Sequence, residues 1–347
     1  MKRLVLSLFA LVCATVSFAQ NSLLATLSHE GNVSTFYGAS ALRDAHGAAV
    51  HGDVITLSSG SFNPVNITKA VTLRGAGMAV DSVHNILPTI ISGDFTISIP
   101  DSVTQRFTLE GIYHNHKIKY INLNNAMFVK CRLNAIYPNS TSSSNTPLMK
   151  NATFTNCRIA TCLNFYYSTN SSASFINSII QKPNGSNFDF MNCVIKLVSD
   201  TSSTNAGNAS DVKNSMLSNC IIYGAGDSHS SFPATTTAYN CVEVNNYTSA
   251  NTFKNIPNNT NKYTTCDVVF KTYTGAAIGE VEEETFELTE TAKATYLGTD
   301  GTEVGIYGGM LPFNTTPSNP RITKCNVAAK STADGKLSVD IEVKAAE

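Results

Sequence analysis

Arg132 and Arg158 each directly follow a cysteine, at the same place in a repeated phrase. Two guanidinium groups on adjacent turns of a repeat suit a carboxylate, because each offers a planar fork of donors. Lys130 and Lys150 lie close by in sequence. With a base and an acidic Ca²⁺ cluster beside them, such cations would serve a lyase of acidic polysaccharides. Without that cluster they read as a solvated basic stripe. The carboxylates between residues 102 and 270 are Glu110, Asp189, Asp200, Asp211, Asp227, Glu243 and Asp267, and none recurs in register with the repeat. No cofactor or metal is therefore expected, and Ca²⁺ enters only under the lyase reading. His114-Asn115-His116-Lys117 is a second cluster, with both histidines expected on one strand face. Lacking a carboxylate pattern, they read as surface histidines. The run Glu280, Glu282, Glu283, Glu284, Glu287 and Glu290 lacks the spacing of a Ca²⁺ loop and reads as a solvated acidic face. Tyr137, Phe165, Tyr166, Tyr167 and Tyr223 all follow the cysteine-bearing segment. Such rings can stack on sugars or pack over loops. The absence of Trp favours the second.

The element that must position these residues is the phrase itself. It reads Phe128-Val129-Lys130-Cys131-Arg132-Leu133, then Phe154-Thr155-Asn156-Cys157-Arg158-Ile159. It returns around Asn177-Ser178, Asn192-Cys193, Asn219-Cys220 and Asn240-Cys241. A repeat of this length means a solenoid. Phe and Cys, three apart, would face opposite sides of an unbroken strand, yet both prefer burial. A bend between them resolves the conflict, and Asn tolerates the left-handed backbone such a bend needs. Stacked coils would superimpose Asn156, Asn192, Asn219 and Asn240, their amides bonding one another. Cys131, Cys157, Cys193, Cys220 and Cys241 would form a stack of buried thiols. In-register strands hold them about 4.8 Å apart, too far for disulfides. Cys162, Cys266 and Cys325 fall outside that register and are freer to pair. The stretches between phrases are rich in Ser, Thr and Asn and carry no helical stripe, so leucine-rich and helical repeats fit worse.

Residues 1–19 have the form of a signal peptide: basic Lys2 and Arg3, an apolar run from Leu4 to Val16, and small residues before Gln20. The apolar run is too short to span a bilayer, and no later one is longer. A formal net charge of −1 gives no polycation for nucleic acid. The segment 38–50 places Leu42, Ala45 and Ala49 on one helical face, fit to plug an open solenoid end. Residues 245–265 read as irregular, and 298–309, with five Gly, as a tight terminal coil. Residues 321–344 read as a hairpin around Asp334-Gly335.

The stretch ALRDAHGAAVHGDVITLSSGSFNPVNITKAVTLRGAG resembles the entry segment of secreted bacterial right-handed β-helix proteins of the pectate-lyase-like fold. The tail GTDGTEVGIYGG…NPRI…GKLSVDIEVKA resembles the ending of such proteins exported by Gram-negative commensals. The resemblance implies an all-β right-handed parallel β-helix solenoid, with a short N-terminal capping helix and a C-terminal β-hairpin. The expected organisation is 1–19 signal peptide, 20–312 β-helix with its cap, and 313–347 hairpin tail. The fold hosts many activities and so names none. The expectation is an exported monomer, periplasmic, cell-surface or extracellular, that contacts polysaccharide through its stacked loop face without catalysis. The loops leave just after the Cys strand, near 134–148, 161–173, 181–187, 196–215 and 223–237. Tyr137, Tyr166, Tyr167, Tyr223, Arg132 and Arg158 are the expected contacts. A lyase acting on an acidic glycan, and an adhesin-like structural rod, are the alternatives.

Overall fold

The computed structural model describes residues 23–84, 86–139, 148–163, 171–198, 208–225, 231–244, 252–256, 260–272, 285–318, 320–328, 330–332 and 334–344. They form a β-solenoid of long parallel sheets. One sheet starts with the antiparallel pair Leu24–His29 and Asn32–Tyr37. Leu24–His29 also pairs antiparallel with Val54–Leu57, and from there the sheet continues in parallel through Thr72–Arg74, Thr108–Glu110, Met127–Val129, Ala152–Thr155, Ala173–Ile176, Phe188–Met191, Met216–Ser218 and Thr237–Tyr239. The second sheet runs from Gly60–Phe62 and Thr89–Ile91 through Ile112–Asn124, Arg132–Pro138, Arg158–Leu163, Ile179–Gln181, Val194–Val198, Ile221–Ala225 and Val242–Val244 to Lys262–Thr264. That last strand lies inside the stretch read from sequence as irregular. Short strands such as Phe95–Ser98, Leu148–Lys150 and Pro183–Ser186 pair along a third side. The helix Ala41–Ala48 buries Ala41, Leu42, Ala45 and His46. No helix among the described residues is long and apolar enough to cross a membrane.

The phrase explains the core. Phe128, Phe154, Phe175 and Phe190 pair in register across the first sheet. Their rings stack at centroid distances of 4.6, 4.9 and 4.9 Å, tilted by 10–14°. Leu133, Ile159, Ile180, Ile195 and Ile222 face them from the second sheet, all buried. Between the two strands of each coil the backbone turns through the left-handed region, with φ of 53° at Asn156, 44° at Asn177, 52° at Asn192, 55° at Asn219 and 49° at Asn240. The thiols of Cys131, Cys157, Cys193, Cys220 and Cys241 are free and wholly buried just past the bend. Cys131 Sγ donates to Leu109 O at 3.3 Å and Cys193 Sγ to Phe175 O at 3.2 Å, linking coils at the corner. Burial pushes the thiols of Cys131, Cys220 and Cys241 well above the ordinary range. Cys162 is also free and buried, its thiol pushed up to about 12 by burial.

The bend amides do not bond one another. A strap formed by residues 298–317 runs back along them. Asn219 Oδ1 accepts from Thr299 N at 3.1 Å, and Asn177 Nδ2 donates to Ile306 O at 2.8 Å and Gly308 O at 2.7 Å. Asn156 Nδ2 donates to Leu311 O at 3.1 Å, and Asn156 Oδ1 accepts from Asn314 N at 3.1 Å. The glycines read as a terminal coil instead let this backbone press close. A Cβ on Gly305 would lie 2.7 Å from Ile221 Cδ1, and one on Gly308 would lie 2.8 Å from Asn192 Nδ2. Amide-to-amide contact occurs at another corner, where Asn151 Nδ2 donates to Asn125 Oδ1 at 3.3 Å.

Replacing Asn177 with Ala removes a donor from two buried carbonyls and puts a Cβ residue of low left-handed tolerance at the bend. The expected loss is about 3 kcal/mol of unfolding free energy. Asn177→Gly relieves only the backbone part, so denaturation of both variants separates the two contributions.

The strap and the segment before it also cover part of the second sheet's outer surface. The outward row Arg132, Arg158, Ile179, Val194, Ile221, Val242 turns apolar after its second member. Its apolar part packs with Phe270, Phe286, Leu288, Ala292, Val304 and Ile306 in a second cluster outside the solenoid. The coils of Arg132 and Arg158 stay open.

His46 adds a pH dependence. It is 5% exposed, and burial, then nearby Lys69, pushes its pKa down to about 4 from an ordinary 6.5. The folded value lies below the unfolded one, so its contribution is complete above pH 6.5 and is lost as pH falls through 4. That shift corresponds to about 3 kcal/mol. Urea denaturation at pH 7 and pH 4 is expected to show this loss in the native chain, and a clearly smaller one in His46→Gln.

Candidate functional site

The open outer surface of the second sheet gathers the charged side chains of three coils. Parallel register sets Tyr113 beside Arg132 and Arg132 beside Arg158. Neighbouring strands lie about 4.8 Å apart. Strand alternation turns these three outward while Leu133 and Ile159 go into the core. The Arg132 guanidinium carbon sits 4.6 Å from the Tyr113 ring centroid, and that of Arg158 5.9 Å from Phe313.

Farther along the same strands the Lys117 ammonium lies 5.4 Å from the Tyr137 ring centroid. Lys119 Nζ lies 3.2 Å from Asp94 Oδ2, and His116 Nδ1 4.0 Å from Asp94 Oδ1. Asp94 Oδ1 also accepts from the Lys117 backbone N–H at 3.0 Å. That bond, then Lys119, holds the Asp94 carboxyl below the usual carboxylate range. Exposed Asn115 and Asn134 lie between the two ends. From Arg132 to Tyr137 the strand runs roughly 16 Å. The surface is polar, carries more cations than carboxylates, and is long enough for several units of a linear polymer.

A β-bulge shapes it. The register slips where Leu133 and Ala135 face His114 and Lys117, so the strand Ile112–Asn124 carries one extra residue. Asn115, His116 and Lys117 are consequently all exposed. The expectation that His114 and His116 share a face fails for this reason. His114 is wholly buried, its ring edge-on to Phe95 at 4.9 Å and its Nε2 3.0 Å from Gly93 O. Burial lowers its pKa.

Of the residues expected from sequence, Arg132, Arg158 and Tyr137 come together here. Tyr223 does not. It is 5% exposed in the second apolar cluster, with the Phe270 ring centroid 6.5 Å away, so it offers no ring face to a ligand. Tyr166, Tyr167 and Phe165 lie outside the described residues. Tyr113 was missed, although Glu110-Gly111-Ile112-Tyr113 aligns with Val129-Lys130-Cys131-Arg132 as a phrase without Asn or Cys. The cations on Tyr113 and Tyr137 make those rings supports for charge, at about 0.5–1 kcal/mol each. The strap borders the site through Phe313 and through Lys130, whose ammonium donates to Thr316 O at 2.7 Å. Among the described residues no three His, Cys, Asp or Glu side chains gather as metal ligands. The chain matches no protein-family model, no curated protein and no solved structure.

Proposed function

We propose that the protein is an exported, non-catalytic right-handed β-helix protein, closed at its N-terminal end by the helix 41–48, that binds an anionic polysaccharide. The binding surface is the open outer face of the second sheet. One observation carries this reading: Arg132 and Lys117 are held over the tyrosine rings of one strand surface, with Arg158 and Lys119 beside them. Cations fixed in advance lose little entropy when a ligand arrives. Guanidinium forks suit carboxylate or sulfate groups spaced along a chain. A linear polymer suits a strand surface roughly 16 Å long.

The test is migration of the protein in native gels that contain polygalacturonate, alginate or the neutral polymer dextran. Retardation in an acidic gel, with the polymer intact and the effect fading at high salt, is the expected result. Retardation in dextran alone would overturn the anionic reading. A cleared zone would make the protein a lyase.

A further inference from the structure

A cleft of about 330 Å³ opens beside the end of the strap, between residues 76–84 and 315–317. That volume is at the lower end of the ~300–1,000 Å³ typical of small-molecule sites. We propose that it binds a single neutral sugar residue, such as one unit or the terminus of a glycan. It adjoins the cationic sheet surface, whose bordering Lys130 donates to Thr316 O, but no Lys or Arg of that surface lines it.

Both walls are fixed. Asp81 Oδ1 accepts from the backbone N–H groups of Val83 and His84, at 3.2 Å each, and Asp81 Oδ2 lies 2.9 Å from His84 Nδ1. A carboxylate only accepts, so Nδ1 carries a proton towards Asp81, and Nε2 is the ring nitrogen left for a hydroxyl, as acceptor in the neutral ring and as donor in the charged one. Across the cleft, the Pro317 ring lies 3.4 Å from where a Cβ on Gly77 would stand. Thr316 N donates to Asn314 Oδ1 at 2.7 Å, and Asn314 N in turn to Asn156 Oδ1 at 3.1 Å. The strap's bond to the bend residue Asn156 therefore holds this wall in place.

The lining has the two-sided character of a sugar. Val80, Val83 and Pro317 supply apolar surface for ring C–H groups, and Val80 and Val83 stand 60% and 84% exposed. Ser82, Thr316 and His84 supply donors and acceptors. The lining includes no Lys or Arg and does include the Asp81 carboxylate, which disfavours an anion. His84 and Asp81 are only 24% and 21% exposed, so bonds to them form in partial shelter from water.

Saturation-transfer NMR tests this with the native chain and methyl β-galactoside, methyl α-mannoside or N-acetylglucosamine, each alone. Transfer to at least one sugar is expected. It should fall at least tenfold in His84→Ala and in Val83→Asp, and stay unchanged in the double variant Arg132→Ala/Arg158→Ala. Val83 is exposed, so its variant remains informative even if His84→Ala folds poorly. No transfer to any of the three sugars would overturn the proposal. So would transfer that survives in both cleft variants, or that disappears with the two arginines.

Discussion

Replacing Arg132 and Arg158 together with alanine is expected to weaken binding to polygalacturonate at least a hundredfold. The two guanidinium groups occupy adjacent outward positions, and each can engage a carboxylate through a forked pair of charge-assisted bonds. Hydrogen bonds to charged groups contribute about 1.5–3 kcal/mol each, so losing one such contact at each arginine costs roughly 3–6 kcal/mol. Every 1.4 kcal/mol is about tenfold in affinity, which places the loss at two orders of magnitude or more. Both side chains are partly exposed, so stability should change by less than about 1 kcal/mol. Arg132→Lys/Arg158→Lys keeps the charge but not the fork, and an intermediate loss is expected. Titration calorimetry with a defined oligogalacturonate measures all three proteins. Equal affinity for native chain and alanine variant would remove these residues from the site.

Phe175→Ala is expected to cost about 3–5 kcal/mol, the range for truncating a buried aromatic ring. Phe175 stacks on Phe154 and Phe190, both at 4.9 Å, and meets Phe188 edge-on at 5.5 Å. Each coil touches mainly its neighbours, so a void here weakens both adjoining coil interfaces. The thermal midpoint should fall by roughly 4–7 °C. Ile176 is the contrast: next in sequence, outward-facing and half-buried, it should cost less than half as much on truncation to Ala. Denaturation of the two variants under identical conditions checks both. Similar losses would mean that the ring stack is not the main support of these coils.

Much of the solenoid was legible because the phrase forces it. Phe and Cys, three residues apart, can both be buried only if the chain bends between them, and the Asn there adopts the required positive φ. A second readable signal went unused: Asn125, Asn151, Asn187 and Asn214 stand three residues before inward Phe128, Phe154, Phe190 and Leu217 and also take positive φ. The covered surface was equally written in the chain. Ile179, Val194, Ile221 and Val242 follow the bend at the place that Arg132 and Arg158 occupy, and four outward apolar residues in a row need a cover. That row, together with Tyr223 two residues beyond Ile221, foretold burial rather than sugar stacking.

Other features had no local signal. The extra residue in Ile112–Asn124 becomes visible only against the neighbouring strand's register, so strand parity alone misassigned His114. The strap could not be traced either, because Gly305 and Gly308 acquire meaning only from Ile221 and Asn192, far away in sequence. The site inherits both effects. The bulge brings Lys117 to the surface, and the strap ends its cover beside Arg158.

A crystal structure of the protein with a bound oligogalacturonate tests the central claim most directly. The expected result is an oligomer lying along the strands between Tyr113 and Tyr137, with a carboxylate on the guanidinium groups of Arg132 and Arg158. An oligomer bound on the outer face of the other sheet, across Thr155, Ile176 and Met191, would contradict it.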